Sequence, residues 1–293
     1  MSADLNELRG GAIAVNKPQG VTSHDVVNKM RKLYGTRRVG HTGTLDPLAT
    51  GVLVVLVGKA VKASDILVCD RKKYKAKIKL GIVSDTEDIT GNLTYTNAKI
   101  PEMSDVLRVI GGFVGEIAQV PPMYSALKVG GKKLVDMARQ GIEVEREPRK
   151  ITVYSIDARG GGDEYEMDVE CSKGTYIRTL CADIGKALGT GAVMSALERE
   201  RLGAFGISDA YTLEALENMS PEERISALLP CDTLFEDLPK VTLPEFFEKL
   251  FSNGCEIYQK KIGTSFDAGT TVRVCGKSGF IGVGVVCEYE SGT

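Results

Sequence analysis

Strand-like and helix-like patterns alternate along this chain of 293 residues, which predicts a mixed α/β protein. Residues 52–57 are an unbroken run of Val and Leu between two glycines, typical of a strand buried on both faces of a sheet. Residues 73–80 alternate lysine with apolar side chains, as a strand with one buried face does. Residues 177–188 repeat apolar side chains at helical intervals.

The other elements follow in chain order. Residues 12–15 predict a short strand, and the next five residues, with a proline and a glycine, predict a turn. A helix should follow, with Thr22 and Ser23 as candidate caps, Asp25 near its positive end, and Gly35 after its last turn. Its apolar stripe is Val26, Val27, Met30 and Leu33. Residues 104–113 predict a second helix.

The second half ends in a segment of different character. Residues 164–171 alternate as a half-buried strand, and the helix at 177–188 should end at Gly189. From about residue 238 the composition changes, and residues 271–275 and 280–286 flank a glycine-containing turn, as in a β-hairpin.

The composition excludes several classes of protein. A hydrophobic fraction of 43% and a charged fraction of 26% are ordinary for a globular protein, and no apolar run is long enough to cross a bilayer. The first eight residues lack the apolar core of a signal peptide. Seven cysteines without a C-x-x-C pair indicate reduced thiols in a cytoplasmic protein, and two histidines without ligand spacing predict no metal site.

Charge is unevenly distributed along the chain. Residues 1–80 carry a net charge of +9 and the remainder −11, which gives the overall −2. A basic first part on an acidic protein is typical of a localised phosphate-binding face. A merely uneven surface is the alternative.

A carboxylate is held in a loop that is rich in glycine. Asp46 directly precedes a proline, which favours an extended and rigid backbone, and the glycines at 40 and 43 allow a ligand to approach closely. An Asp-Pro pair can simply start a turn. Basic residues nearby suit chemistry on a polyanion; they are Arg31, Lys32, Arg37 and Arg38.

Two later residues point to the same place. Arg178 falls in the first turn of a predicted helix, where the helix dipole disfavours a cation, so it needs an anion, and Asp46 is the candidate. Tyr74 begins the apolar face of the alternating strand, where a cleft could expose its ring. The lysines on the opposite face are either solvated or in contact with RNA.

The chain resembles the TruB-type tRNA pseudouridine synthases over about residues 10–235. The catalytic-loop pattern G-H-T-G-x-L-D-P-x-A-x-G is complete at residues 40–51. The resemblance extends to N-K-P-Q-G at 16–20, K-Y at 73–74 and C-S-K-G-T-Y-I-R-T at 171–179.

This resemblance implies roles for individual residues. Asp46 matches the nucleophile, Arg178 the arginine paired with it, and Tyr74 the tyrosine that stacks on uracil and assists proton transfer at C5. His41 matches the histidine that fills the space of a flipped-out base. Further pocket positions are Tyr176 and Leu197, and Lys17 and Lys128 are candidate phosphate or loop contacts. Attack at C1′, addition to C6 and proton removal from C2′ all remain open.

The resemblance also implies an architecture. We expect a largely antiparallel central sheet flanked by helices, with the cleft across its centre. The catalytic domain should span residues 1–237, with an RNA-clamping insertion near 123–150 that could instead be a solubilising surface hairpin. Residues 238–293 loosely resemble a small PUA-like β-domain.

The implied activity is the conversion of uridine 55 in the tRNA T-loop to pseudouridine. We expect no cofactor, no metal, no membrane and no obligate protein partner, with tRNA as substrate and a monomeric enzyme of the bacterial stand-alone type. Two other hypotheses are a tRNA-folding chaperone with incidental catalysis and an aspartate-dependent nucleosidase acting on small molecules.

Overall fold

The computed structural model describes residues 10–64, 71–277 and 279–288. The predictions for the first eight residues and for Cys69 lie outside these ranges. The strands are β1 Gly11–Lys17, β2 Val39–His41, β3 Thr50–Val57, β4 Arg71–Leu80, β5 Ile82–Ser84, β6 Leu93–Tyr95, β7 Gly115–Gln119, β8 Lys128–Val129, β9 Lys132–Lys133, β10 Arg149–Gly161, β11 Glu164–Ser172, β12 Ala192–Leu202, β13 Phe205–Gly206, β14 Tyr211–Thr212, β15 Leu229–Pro230, β16 Lys240–Thr242, β17 Thr271–Gly276 and β18 Gly279–Val285. The helices are α1 Ser23–Leu33, α2 Met103–Gly111, α3 Leu134–Ala138, α4 Ile177–Leu188, α5 Leu213–Asn218, α6 Pro221–Ser226, α7 Glu245–Ser252 and α8 Gln259–Ile262.

Within the described residues, eleven strands form one large sheet. Its main order is β14-β1-β3-β12-β4-β11-β10-β7. The pairs β1–β14 and β3–β12 are parallel and the other pairs along this order are antiparallel, so the mixed, largely antiparallel sheet is confirmed. Every residue of β3 after Thr50 is buried, with alternate side chains in the two hydrophobic clusters on opposite faces of the sheet, as its sequence predicted.

Two predicted helix boundaries are confirmed by their caps. The Thr22 hydroxyl accepts a hydrogen bond from the amide of Asp25, whose carboxylate accepts one from the amide of Thr22. This capping box satisfies two backbone donors at the start of α1. Gly189 ends α4 with a φ of +71°, in the left-handed region that favours glycine.

The lysine face of β4 is paired with carboxylates. Lys73 and Lys75 both contact Glu200 on β12, at 3.1 and 3.5 Å. Lys77 lies 3.9 Å from Glu164, and Lys79 lies 3.8 Å from Asp163, the residue that precedes Glu164 in the chain. Neighbouring acidic side chains thus offset much of the positive charge of this face.

The insertion and the C-terminal segment each form small elements. Within the insertion, β8 and β9 form a hairpin and α3 follows directly. The predicted hairpin near the C-terminus is confirmed as β17–β18, which joins β16 in a separate three-stranded sheet. The domain boundary, the clamping role and the PUA-like character remain predictions.

In the part of the chain that the structure describes, six cysteines are free thiols, and no cluster of His, Cys, Asp and Glu could hold a metal ion. None of the helices in these ranges combines the length and apolar character needed to span a membrane.

Gly51 lies opposite Arg199 in the parallel pair β3–β12. It has a φ of +97°, and a Cβ added there would lie 2.3 Å from the carbonyl oxygen of Arg199. We expect Gly51→Ala to lower the free energy of unfolding by about 2–3 kcal/mol, because both the backbone conformation and the strand spacing must change. Gly111→Ala is the control, since its Cβ would meet no atom within 4 Å. Chemical denaturation that finds the two variants equally stable would contradict this prediction.

Candidate active site

The loop of residues 40–51, here called the Asp46 loop, is fixed on both sides of its carboxylate. The buried Ser23 hydroxyl accepts from the amide of Leu45 at 2.8 Å and lies 2.9 Å from the carbonyl oxygen of the same residue. On the other side, the Pro47 carbonyl accepts from the amide of Gly20 at 2.8 Å. The backbone around Asp46 is thereby tied to the start of α1 and to the turn after β1.

Asp46 meets the arginine that the sequence predicted. Its Oδ2 lies 2.9 Å from Nε of Arg178, in the first turn of α4. The Arg178 side chain is 6% exposed, whereas the Asp46 side chain is 36% exposed. The cation is therefore held inside the protein and the carboxylate is open to solvent.

Arg178 also joins two other segments to Asp46. Its Nη1 donates to the carbonyl of Thr86 at 2.9 Å, and its Nη2 donates to the carbonyl of Tyr124, in the insertion, at 2.8 Å. Oδ2 of the buried Asp88 lies 4.0 Å from Nε. The planar guanidinium thus links the Asp46 loop, the 84–92 turn and the insertion.

Asp88 is a residue of this site that sequence reasoning missed. Its Oδ1 accepts from the hydroxyls of Thr86 and Thr90 and from the amide of Thr90, at 2.8, 2.6 and 2.9 Å. These bonds aim its second oxygen at Arg178. The stretch S-D-T-E-D-I-T-G-N has the composition of an ordinary turn, and only its density of Thr and Asp hinted at a network.

Lys17 lies under the Asp46 loop and is fully buried. Its ammonium donates to the carbonyls of Pro18 and Val21, at 2.9 and 2.8 Å, and more weakly to that of Pro47, at 3.5 Å. Of the two roles predicted for this lysine, its position fits the contact with the loop. Burial lowers the pKa of Lys17 to about 8, although the charge of Asp46 opposes the shift.

This pKa predicts a pH dependence of stability. An unfolded lysine releases its proton near 10.5, so between pH 8 and 10 the unfolded chain binds more protons at this site and the folded state gains stability as the pH rises. We expect the parent protein to gain on the order of 2 kcal/mol over Lys17→Met across this interval. Chemical denaturation of both proteins at each pH measures the difference. Parallel pH profiles for the two proteins would contradict the prediction.

Tyr74 does not present an exposed ring, and that prediction was wrong. The side chain is 5% exposed, because β4 is an interior strand between β11 and β12 and Tyr74 packs into the main hydrophobic cluster. Its direct partner on β12 is Arg199. Burial raises the pKa of the Tyr74 hydroxyl, and the nearby charge of Arg199 acts in the opposite direction.

His41 is half-buried at the start of the Asp46 loop. Its Nδ1 lies 3.3 Å from the amide nitrogen of Gly43, which donates to it. Burial is the main reason that the pKa of His41 is lowered, and the charge of Arg199 adds to this effect. The lowered pKa favours the neutral form of the imidazole.

The remaining predicted residues lie on three other parts of the structure. Tyr176 precedes α4, where its amide donates to Gln119 Oε1 at 2.8 Å and its carbonyl accepts from Gln119 Nε2 at 3.1 Å. Leu197 is half-buried on β12, and its carbonyl lies 3.4 Å from the hydroxyl of Thr50. Lys128 is exposed on the β8–β9 hairpin of the insertion.

Comparisons with known proteins identify the family of this chain. The model of the TruB family pseudouridylate synthase N-terminal domain matches residues 31–177, and that of the tRNA pseudouridylate synthase B C-terminal domain matches residues 178–236. The tRNA pseudouridine synthase B of Clostridium tetani is 43% identical over 277 residues, covering 94% of each chain. That of Clostridium perfringens strain 13 is 45% identical over 255 residues, or 86% of each.

Solved structures show the same architecture. The crystal structure of a Cbf5-Nop10-Gar1 complex contains a chain that superposes with a TM-score of 0.72 at 28% identity, covering 94% of this chain and 78% of that one. Together the two family models match residues 31–236, a range that includes Asp46 and Arg178. This chain belongs to the TruB family of pseudouridylate synthases.

Proposed function

We propose that this protein converts uridine 55 in the T-loop of tRNA to pseudouridine, with Asp46 as the nucleophile. Its family makes it a tRNA pseudouridine synthase, an isomerase. The observation that carries the finer proposal is the Asp46–Arg178 pair, in which an open carboxylate is backed by a buried guanidinium.

The pair suits a reaction in which the ribose or the base must be held while the two are apart. The C1′–N1 bond breaks, the base turns, and a C1′–C5 bond forms, with no net gain or loss of electrons. A fixed carboxylate can hold one fragment covalently during this exchange. Arg178 keeps the carboxylate in place because its three donor nitrogens point to three different segments.

The target base must leave its stack to reach Asp46. Flipping costs a few kcal/mol, and stacking on a ring returns about 1–3 kcal/mol per base. His41 is half-buried at the loop, with a lowered pKa that favours its neutral form, and we assign it to the space that the base vacates. Tyr74 is covered in the free protein, so stacking on uracil requires side chains over it to move when RNA binds.

The cations that bind tRNA should be those without nearby carboxylates. Lys32, Arg37 and Arg38 are exposed beside the Asp46 loop and account for part of the positive charge of the first 80 residues. The lysines of β4 are less suited, since acidic residues flank them. We assign Lys128 and the rest of the insertion to contact with the T-stem.

The test is tritium release from unmodified tRNA labelled at C5 of its uridines, with the purified chain alone. Release should equal one tritium per tRNA and should vanish when the T-loop uridine is replaced by cytidine. No release above background would reject the activity. Formation of uracil and ribose from free uridine, without tritium release from tRNA, would favour the nucleosidase hypothesis, and RNA annealing without release would favour the chaperone.

A further inference from the structure

A buried arginine without a carboxylate partner lies behind the reactive residues. Arg199, on β12, is fully buried, and within the described residues it forms no salt bridge. Its Nε donates to the carbonyl of Val52 at 2.7 Å, and its Nη2 donates to that of Gly43 at 3.0 Å. These bonds tie the Asp46 loop to β3.

The third guanidinium nitrogen does not take part in this contact between the Asp46 loop and β3. Nη1 of Arg199 is buried and makes no hydrogen bond among the described residues. It lies toward the Asp46 loop, since a Cβ added to Gly43 would be 3.6 Å from it. Burying a charge with an unused donor is costly, so a purely structural clamp does not explain why an arginine stands there.

The charge of Arg199 acts on the residues of the active site. Arg199 pairs directly with Tyr74 across β12 and β4, so the two side chains share one face of the sheet. Its charge also lowers the pKa of His41 and of Lys17. A preorganised cation of this kind stabilises negative charge that develops nearby during a reaction.

We propose that Arg199 is a positioning residue that stabilises Tyr74 as a phenolate during the isomerisation. This inference rests on the proposed function. When the C1′–N1 bond breaks, its electron pair stays on N1, and Tyr74 gives its proton to that nitrogen. After the C1′–C5 bond forms, the Tyr74 oxygen takes the proton from C5, and the C5–H electron pair restores the C5–C6 double bond. Pseudouridine gains hydrogen at N1 and loses it at C5, so no other reactant is needed.

The test compares Arg199→Gln, which removes the charge, with Arg199→Lys, which keeps it. The substrate is unmodified tRNA carrying either hydrogen or deuterium at uridine C5. For Arg199→Gln we expect kcat to fall about 100-fold with little change in KM. Its deuterium isotope effect should exceed that of the parent, because loss of the phenolate slows removal of the C5 proton. Arg199→Lys should retain most of the parent's rate and the parent's isotope effect.

A structural clamp predicts a different pattern. It would slow all steps together, so a slow Arg199→Gln with the parent's isotope effect would overturn the proposal. A folded Arg199→Lys that loses about 100-fold in kcat would also overturn it, even if circular dichroism shows that Arg199→Gln does not fold. An inactive parent enzyme would reject the proposed function itself, whereas an active parent matched by Arg199→Gln would reject only the role of Arg199.

Discussion

Asp46→Asn should abolish turnover, with kcat falling at least about 10⁴-fold, as expected when a nucleophile is removed. The amide keeps the volume of the side chain and can still accept a hydrogen bond from Arg178 Nε, so the Asp46 loop should keep its position. The affinity for tRNA should stay within about twofold of the parent's, because most of it arises from phosphate contacts. Tritium release and filter binding with tRNA transcribed in vitro measure the two quantities.

The matched control is Asp105→Asn. Asp105 is also an aspartate paired with an arginine, Arg108, at 3.0 Å, but it lies exposed on α2. The same chemical change there should leave activity at the parental level, since exposed ion pairs contribute about 0–1 kcal/mol to stability. Appreciable activity in Asp46→Asn would remove Asp46 from the role of nucleophile.

Arg178→Lys should lower kcat by about 10²–10³ although it retains the positive charge. One ammonium cannot reproduce donors that point at once to Asp46, to the carbonyl of Thr86 and to that of Tyr124. The carboxylate and the insertion would then be free to shift relative to each other. Steady-state kinetics on unmodified tRNA measures the loss, and an unchanged kcat would mean that charge alone suffices.

Measurements of stability distinguish the role of Arg178 as the cation beside Asp88 from its role in holding Asp46 in place. Arg178→Met leaves the buried Asp88 without its cation, so we expect the free energy of unfolding to fall by about 3 kcal/mol, a loss that Arg178→Lys should largely avoid. Arg108→Lys on the surface of α2 serves as the neutral control for both measurements.

Local sequence patterns predicted many of the helices and strands, because burial of a strand and the ends of a helix depend mainly on residues close together in the chain. The all-apolar β3, the capping box before α1 and the glycine after α4 are each determined by a few neighbouring residues. The same reasoning failed for Tyr74. Alternation showed which face of β4 is buried, but the depth of Tyr74 depends on β12, which comes from a distant part of the chain.

The residues of the site also fall into those that the sequence predicted and those that only the tertiary structure revealed. A proline fixes Asp46 from within its own loop. The dipole of α4 disfavours a cation at Arg178 unless an anion lies nearby. The sequence alone therefore determined that this aspartate and this arginine form a pair. Only the tertiary structure brought in Asp88 and Arg199. Asp88 stands in a turn of ordinary composition, and the position of Arg199 beside Tyr74 results from the pairing of β3, β12 and β4. Contacts between residues far apart in the chain depend on strand order and register, which no local pattern encodes.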